Sequence, residues 1–283
     1  MLKRIITSIV ALCVFIPVLI FSDTWIFPIG MSLCATVGIW EFLGCVKQRK
    51  NLFLTVPFCA IAAFFPCFLR YELVMGHGYL SALTFGMGIA FLSALYIFGI
   101  AVFANKSLAV NDAGLIFAAS FYIISAFTAI VYIRDFISNG AYIYLLTFIC
   151  AWVTDSFAYF SGRLLGKHKL IPAVSPKKTV EGAIGGVLFC VIAMVSFGLI
   201  VENFFNAEGL IKANYVVLAV SGIFISVVSQ IGDLVMSVIK RLYGIKDYGK
   251  IFPGHGGILD RFDSVLAVTL ILAFICTYFN LLS

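Results

Sequence analysis

Charged and glycine-rich residues are concentrated between Ser237 and Asp263, within a chain that is otherwise mostly apolar. This segment, SVIKRLYGIKDYGKIFPGHGGILDRFD, contains five Lys or Arg, three Asp and one His. A charged side chain beside lipid costs about 2.5–3.5 kcal/mol on insertion scales, so it usually serves a task. Cations with carboxylates and glycines are typical of a site that holds phosphate through basic side chains and metal ions. A loop that only sets membrane topology needs Lys and Arg, but not the Asp residues or the His-Gly-Gly run.

A stripe of polar side chains is predicted on the helix that precedes this segment, near 214–239. At about 100° per residue the stripe is roughly 100° wide, and its members are Gln230, Asp233, Ser237, Lys240 and Arg241. It leads from an intramembrane carboxylate to two cations at the end of the helix. A carboxylate facing lipid would be protonated or expelled, so we expect Asp233 to face a protein interior or a water-filled cavity. An Asp–Lys bridge within the helix bundle is the alternative.

The loop at 242–263 is expected to close over this stripe. Its glycines permit positive φ, close approach of the backbone to a ligand and a turn of N–H groups that binds anions; they are Gly244, Gly249, Gly254, Gly256 and Gly257. Carboxylates at two facing helix ends suit Mg²⁺, so we predict Asp233 and Asp260 as metal ligands. Asp263, three residues after Asp260, fits either a ligand or a charge that is favourable at a helix start.

His255, inside the same loop, has three roles open to it: a base, a phosphate donor or a brace for the loop. It has no Cys or His partner at metal-ligand spacing, so a zinc site is not expected. The chain also has no GxSxG sequence, and an acyl-transfer triad is therefore not supported.

A second polar cluster occupies residues 154–186, TDSFAYFSGRLLGKHKLIPAVSPKKTVEGAIGG. Asp155 lies inside an apolar span, near the end that precedes the basic loop. Gly182 and Gly186 form a small-xxx-small pair, which predicts close packing of their helix against a neighbour. Glu181 fits either a charge at the helix start or a polar site residue.

The start of the helix near 179–201 is predicted from the run Ser175-Pro176. Ser175 would be the N-cap, and a proline is well tolerated at the first helical position. Lys177, Lys178 and Thr179 would then lie at the helix start, where N–H groups and the helix dipole attract an anion. The alternative is that both lysines only anchor the helix at the inner membrane face.

The composition identifies the molecule that must position these residues as an integral membrane protein. Of its 283 residues, 63% are hydrophobic and 11% charged, whereas soluble domains are about 45–50% apolar and about 25% charged. Apolar stretches long enough to span a bilayer as helices lie near 5–22, 24–45, 52–69, 79–103, 114–133, 141–160, 179–201, 214–239 and 264–282. We therefore predict an all-α bundle of about nine transmembrane helices in a single membrane domain. Residues 1–140 would form a scaffold, and residues 141–283 would form a catalytic cavity facing the cytosol.

The distribution of basic residues predicts the orientation of this bundle. With a cytosolic N-terminus, all but three of the 19 Lys and Arg fall on the inner side, the exceptions being Arg70, Arg134 and Lys212. The positive-inside rule thus favours an N-in, C-out topology. The formal net charge of +6 reflects this topology and also suits anionic lipid and nucleotide; nucleic acid is not implied. Glu41, in the second span, is expected to snorkel to the inner face.

These residues resemble the phosphatidate cytidylyltransferase (CDP-diacylglycerol synthase) family. The chain matches the fixed positions of that family's signature at Ser237, Lys240, Arg241, Lys246, Asp247, Gly249, Phe252, Pro253, His255, Gly256, Gly257, Asp260, Arg261 and Asp263. The segments DSFAYFSGRLLGK and SPKKTVEG are similar to the family as well. The resemblance covers 141–283 strongly, and the N-terminal half only by topology.

The resemblance implies transfer of a cytidylyl group from CTP to phosphatidate, which gives CDP-diacylglycerol and pyrophosphate. Asp233 and Asp260 would hold Mg²⁺, with a second cation beside it, and a homodimer in a bacterial inner membrane is expected. The implied catalytic residues are Asp233, Asp260, Lys240, Arg241 and His255. The implied substrate-binding residues are Asp155, Ser175, Lys177, Lys178, Thr179, Ser237, Lys246, Asp247, Gly256, Gly257, Arg261 and Asp263; the basic ones among them would contact phosphates.

Three other classes of protein share some of these features. A CTP-dependent kinase of a lipid alcohol would use similar groups and differs in which phosphate enters the lipid. An ion-coupled transporter would explain the intramembrane Asp155 and Asp233, but not a loop rich in glycine that ends in DRFD. A phosphotransferase that consumes CDP-diacylglycerol would carry a DGxxAR motif, which this chain does not contain.

Overall fold

The structure is a computed structural model that describes residues 13–103, 108–172, 174–206, 209–252, 254 and 256–283. His255 and residues 5–12 of the predicted span at 5–22 lie outside the described residues. Residues 13–20 are helical, and the elements that follow are α1 (Ile26–Cys45), α2 (Leu52–Val74), α3 (Gly78–Phe103), α4 (Val110–Phe136), α5 (Gly140–Ile143), α6 (Leu145–Leu165), β1 (Lys169–Ile171), β2 (Ser175–Thr179), α7 (Val180–Phe204), α8 (Tyr215–Leu242) and α9 (Leu259–Tyr278).

The described residues contain seven helices that are long and apolar enough to cross a membrane. They are α1 to α4, the continuous segment Gly140–Leu165, α7 and α8. On α3 most of the large apolar side chains are exposed, among them Phe91, Leu92 and Val102, as expected for a helix that faces lipid. The prediction of a helical, multi-pass membrane protein is therefore confirmed, while the count of nine spans stays a prediction.

A two-stranded antiparallel sheet interrupts the helices between α6 and α7. Strands β1 and β2 pair with Lys169 opposite Thr179 and Ile171 opposite Ser175, with an irregularity between these pairs. The prediction that Ser175 caps a helix was therefore wrong. Ser175 to Lys178 lie in an extended strand, because backbone pairing with β1 holds this run extended although its sequence resembles a helix start.

Capping residues explain where α7 begins and where α8 begins and ends. Thr179 is the N-cap of α7, and its hydroxyl oxygen accepts the N–H of Gly182 at 3.1 Å. Asn214 is the N-cap of α8, and its side chain accepts the N–H of Val217 at 3.2 Å. At the other end of α8, Gly244 adopts a φ of 69°, the left-handed conformation that commonly terminates helices.

The chain divides into two compact units. The first comprises the residues up to Val131 together with Ile245–Arg261, and the second comprises Tyr132–Gly244 and Phe262–Ser283. In the first unit α1 packs against α2, and α2 packs against α3. In the second unit α7 packs against both α6 and α8.

Close packing of α6 and α7 depends on glycine, as predicted. A Cβ built on Gly182 would lie 3.1 Å from the Cα of Gly162, and one built on Gly186 would lie 3.0 Å from the carbonyl oxygen of Thr154. Any larger side chain would push the two helices apart. This packing sets the distance between the polar residues of α6 and those at the start of α7.

Candidate active site

Five charged side chains of the second unit form what we call the lysine–aspartate cluster: Asp155, Lys178, Asp233, Lys240 and Asp263. Lys178 lies on β2, and its ammonium forms an ion pair with the Oδ2 atom of Asp233 on α8. The Oδ1 atom of Asp233 accepts the hydroxyl of Ser237, one helical turn further, at 3.4 Å. The expected protein environment of Asp233 is confirmed, since its side chain is only 23% exposed.

The second ion pair of the cluster joins Lys240 to Asp263. The Nζ atom of Lys240 lies 3.7 Å from the Oδ2 atom of Asp263, and the two side chains are 9% and 13% exposed. The Oδ1 atom of Asp263 accepts the N–H of Ser264 at 3.0 Å. Because little water reaches this pair, its attraction is screened far less than that of a surface salt bridge.

Asp155 on α6 adds a third carboxylate to the cluster. Its Oδ2 atom accepts the hydroxyl of Ser264 at 2.8 Å. Asp263 interacts electrostatically with the carboxylates of both Asp233 and Asp155, and with the Lys240 ammonium. Burial and the carboxylates of Asp233 and Asp155 raise the pKa of Asp263 to about 8, and a bound cation would favour its ionised form. Three carboxylates then face two ammonium groups, and the cluster carries one excess negative charge. Such an arrangement attracts a further cation.

Other predicted site residues of the second unit lie at its surface. Lys177, next to Lys178 on β2, points its side chain to solvent, and Arg241 on α8 is also exposed. Ser175 is half-buried, whereas Thr179 is buried as the cap of α7. Alternation along β2 explains the difference between the two lysines, because successive side chains of a strand point to opposite faces. The structure thus separates two residues that the sequence treats alike.

Glu181, which the sequence left ambiguous, links the start of α7 to the start of the hairpin. Its carboxylate lies 2.6 Å from the Nδ1 atom of His168 and also accepts the backbone N–H of that residue. Glu181 therefore holds the hairpin that carries Lys178 against the first turn of α7.

In the first unit, the segment Ile245–Arg261, called the glycine loop below, is organised by Asp260. The Oδ2 atom of this carboxylate accepts the backbone N–H of Tyr248 at 2.8 Å, of Gly249 at 3.4 Å and of Gly257 at 2.9 Å. Asp260 is 9% exposed. Its predicted role as a metal ligand stays a prediction, but the structure adds a role that the sequence did not indicate, as the centre of the loop.

A tight turn forms the tip of the glycine loop. The N–H of Phe252 donates to the carbonyl of Gly256 at 2.9 Å. Gly254 and Gly256 have φ values of 81° and 87°, which residues with a Cβ rarely adopt. A Cβ on Gly256 would in addition meet the Asp260 carboxylate at 2.7 Å.

The basic side chains of the glycine loop point away from its buried centre. Lys246, Lys250 and Arg261 are exposed, as is Asp247, while Tyr248 is buried with its ring centroid 6.4 Å from that of Phe42. The glycine loop therefore exposes its cationic side chains, while its backbone is held by hydrogen bonds to the buried carboxylate of Asp260.

The anchoring includes Glu41 on α1, which sequence reasoning assigned incorrectly. Instead of snorkelling, Glu41 is completely buried, and its carboxylate accepts the N–H of Ile258 at 3.2 Å and of Leu259 at 2.9 Å. The only signal in the sequence was an ionisable residue inside an apolar stretch. Nothing local to residue 41 indicated a partner more than 200 positions further along.

Oxygen donors in the lysine–aspartate cluster suit the chemistry of the predicted Mg²⁺. Carboxylate oxygens are the ligands that this ion prefers, and the ammonium of Lys178 already lies where a cation is attracted to Asp233. Among the described residues, however, no three His, Cys, Asp or Glu side chains are grouped closely enough to hold a metal by themselves. Phosphate oxygens of a substrate would have to complete such a site.

Helices that can span a membrane, together with the lysine–aspartate cluster formed by residues of α6, β2, α8 and α9, define a polytopic membrane protein with a charged site. The chain belongs to the cytidylyltransferase family, whose model matches residues 2–279. It is 33% identical to a phosphatidate cytidylyltransferase of Bacillus subtilis (strain 168) over 283 residues, which cover 99% of each chain. It is 34% identical to a protein of the same name from Staphylococcus haemolyticus over 266 residues, covering 94% of this chain and 95% of the relative.

Proposed function

We propose that this protein transfers a cytidylyl group from CTP to phosphatidate, which yields CDP-diacylglycerol and pyrophosphate. The observation that carries the proposal is the lysine–aspartate cluster, of which Asp155, Asp233 and Lys240 lie on helices long enough to span a membrane. Its charges suit a reaction between two anions, one of which is a lipid. Membership of the cytidylyltransferase family and the names of the relatives support the same reaction.

In this reaction an oxygen of the phosphatidate phosphate attacks the α-phosphorus of CTP. A new P–O bond forms, the bond from the α-phosphorus to the bridging oxygen of the β-phosphate breaks, and pyrophosphate leaves with that electron pair. The attacking phosphate is already ionised near neutral pH, so the reaction requires no strong general base. Catalysis is then mainly the positioning of the two phosphates and the stabilisation of their charge.

Basic residues are proposed to bind the phosphates of the two substrates. Lys178 and Lys240 would neutralise phosphate oxygens, and each is kept in position by its carboxylate partner. Lys177 and Arg241, together with Lys246 and Arg261 of the glycine loop, are exposed and would make the outer phosphate contacts. Rigid placement of a cation in a site with little water lets it stabilise developing charge without reorganisation.

Mg²⁺ is proposed as the cofactor, held by Asp233 and Asp260; whether a second cation binds beside it is left open. When bound, it would supply Lewis-acid neutralisation of the phosphate charge. The ion pair of Asp233 with Lys178 suggests an order of events for this chain. On arrival of the nucleotide, the ammonium of Lys178 would turn from the carboxylate to a phosphate oxygen, and the carboxylate would be left to a metal.

The proposed topology has nine spans, a cytosolic N-terminus and an active site that faces the cytosol. Its support is the uneven distribution of Lys and Arg in the sequence, and CTP is a cytosolic substrate. A bacterial inner membrane is proposed because the matched relatives are bacterial. A homodimer is proposed on the family resemblance.

Two labels on CTP test the proposed reaction. Purified protein is incubated with phosphatidate and Mg²⁺, and either α-labelled or γ-labelled CTP. We expect label in the lipid phase from the α-position only. Label from the γ-position only would instead identify a lipid kinase and overturn the proposal. A parallel arm with a chelator should abolish the transfer, and added Mg²⁺ should restore it; full activity in the chelator would refute the proposed cofactor.

A further inference from the structure

Glu41 is a buried acidic residue on α1 with two backbone partners in the glycine loop. Its Oε1 atom accepts the N–H of Ile258 and its Oε2 atom accepts that of Leu259, the first residue of α9. N–H groups at a helix start have no partner inside the helix, and a carboxylate there is also favoured by the helix dipole. Glu41 therefore caps the first residue of α9, Leu259, which belongs to the same unit as Glu41.

Asp260 completes this anchoring from inside the glycine loop. Whereas Glu41 accepts the N–H groups of Ile258 and Leu259, Asp260 accepts those of Tyr248, Gly249 and Gly257. Two carboxylates thus bind five backbone N–H groups on both sides of the turn at the loop tip. These hydrogen bonds hold the loop backbone at residues 248–249, before the turn, and at residues 257–259, after it. The exposed cations Lys246, Lys250 and Arg261 are close in sequence to these two segments.

At two glycines of the loop, Gly249 and Gly257, the nearest neighbour of an added Cβ would be the carboxylate of Glu41. Neither Gly249 nor Gly257 has a positive φ, so the backbone itself does not require glycine there. A Cβ at either position, however, would collide with the carboxylate of Glu41. Glycine is needed because a glutamate side chain already fills the space.

The carboxylate of Glu41 has a structural role as a cap, since an apolar side chain of the same size would leave the N–H groups of Ile258 and Leu259 without this acceptor. What the carboxylate adds is directionality, because it accepts two adjacent N–H groups and so defines the path of the loop backbone. That function matters where the loop must present groups to a ligand.

We propose that Glu41 is a positioning residue for cytidylyl transfer. Acting through the backbone of the glycine loop and the start of α9, it holds Asp260 where this carboxylate would bind Mg²⁺, and Lys246 and Arg261 where they would meet the phosphates of the substrates. This inference rests on the proposed function, since it assigns to Glu41 a part in that reaction.

The test compares Glu41→Gln with Glu72→Gln, a matched control in the same unit. Glu72 is also buried, but its carboxylate bonds to the hydroxyl of Ser81 and lies beside His77, away from the glycine loop. In Glu41→Gln one N–H of the loop would face an amide NH₂ group instead of an oxygen. We expect kcat to fall about tenfold or more, with a smaller change in the control, because bonds to a charged group are replaced.

Amide hydrogen exchange measures directly whether the N–H groups of Ile258 and Leu259 remain hydrogen-bonded, which an activity assay does not. Exchange at Ile258 and Leu259 should be faster in Glu41→Gln than in the wild type and unchanged in Glu72→Gln. Wild-type kcat in Glu41→Gln, or a loss of kcat without faster exchange at these amides, would overturn the inference. If the wild-type protein makes no CDP-diacylglycerol, the proposed function fails instead, and the exchange comparison still reports on the anchoring.

A second experiment covers the case in which Glu41→Gln does not fold. Gly257→Ala alone should lower kcat, because its methyl group meets the Glu41 carboxylate. In a Glu41→Ala background the same substitution should cost several-fold less, because the space has been vacated. Non-additivity of this kind measures the coupling of the two positions. Strictly additive effects would contradict the proposed contact.

Discussion

The ammonium of Lys178 on strand β2 is paired with the carboxylate of Asp233 on helix α8, which lies 55 positions further along the chain. Lys178 reaches Asp233 because β2 places it on the face opposite to Lys177, and because close packing of α6 and α7 fixes the hairpin at the start of α7. Lys178 is proposed to bind phosphate and Asp233 to bind metal. Their ion pair holds both charged groups in position.

This pair predicts different effects for the two neighbouring lysines. Lys178→Gln should lower kcat/KM by about tenfold or more, since a charge-assisted contact is worth about 1.5–3 kcal/mol. Lys177→Gln should cost less, because that side chain is exposed and has screened interactions. Steady-state kinetics with CTP and phosphatidate as varied substrates would check this, with the exposed Lys47→Gln as control. Equal values for all three variants would show that both lysines are only topological anchors.

The Lys240–Asp263 pair allows stability and activity to be separated. Asp263→Ala would leave the buried ammonium of Lys240 without this carboxylate, which we expect to lower the free energy of unfolding by about 3 kcal/mol. The double variant Lys240→Met with Asp263→Leu should recover most of that stability, while turnover stays lost because both charges are missing. Thermal unfolding in detergent, followed by tryptophan fluorescence, measures the first quantity. Recovery of turnover in the double variant would show that neither Lys240 nor Asp263 takes part in the reaction.

Gly182 is predicted to be intolerant of even a methyl group. In Gly182→Ala the new Cβ would meet the carbonyl oxygen of Ala158 on α6 at 2.5 Å, so α6 and α7 must separate and the melting temperature should fall by several degrees. Gly88→Ala, in helix α3, is the matched control, since nothing lies within 4 Å of its Cβ position. That substitution should be neutral or slightly stabilising, because alanine favours helix. Equal melting temperatures for the two variants would contradict the close packing.

Sidedness is predicted from the basic residues and tested by cysteine labelling. In a background without native cysteines, a cysteine at Lys167 or Lys250 should resist an impermeant thiol reagent in intact cells and react in inverted vesicles. One at His77 should behave in the opposite way. All three positions are exposed, so a difference in labelling reports the side of the membrane and not burial inside the protein. Labelling of Lys167→Cys or Lys250→Cys from outside would overturn the topology and the cytosolic active site.

Local composition alone determined the membrane character of this protein and the places of most of its helices. An apolar run of about 20 residues must form a helix in a bilayer, since no other local structure satisfies its backbone polar groups. The spacing of polar residues on one helix likewise indicated that Gln230, Asp233, Ser237 and Lys240 turn away from lipid; all four are buried or half-buried. The family resemblance came from the same kind of information, a set of residues at fixed spacings.

Only the tertiary structure decided which of these residues bind one another. The run from Ser175 to Thr179 resembles a helix start, yet pairing with β1 makes it a strand and thereby selects Lys178 over Lys177. Glu41 resembles a residue that snorkels, yet it binds N–H groups 217 and 218 positions away. Such contacts depend on how whole helices pack, and the local periodicity of a sequence contains no information about a partner so distant in the chain.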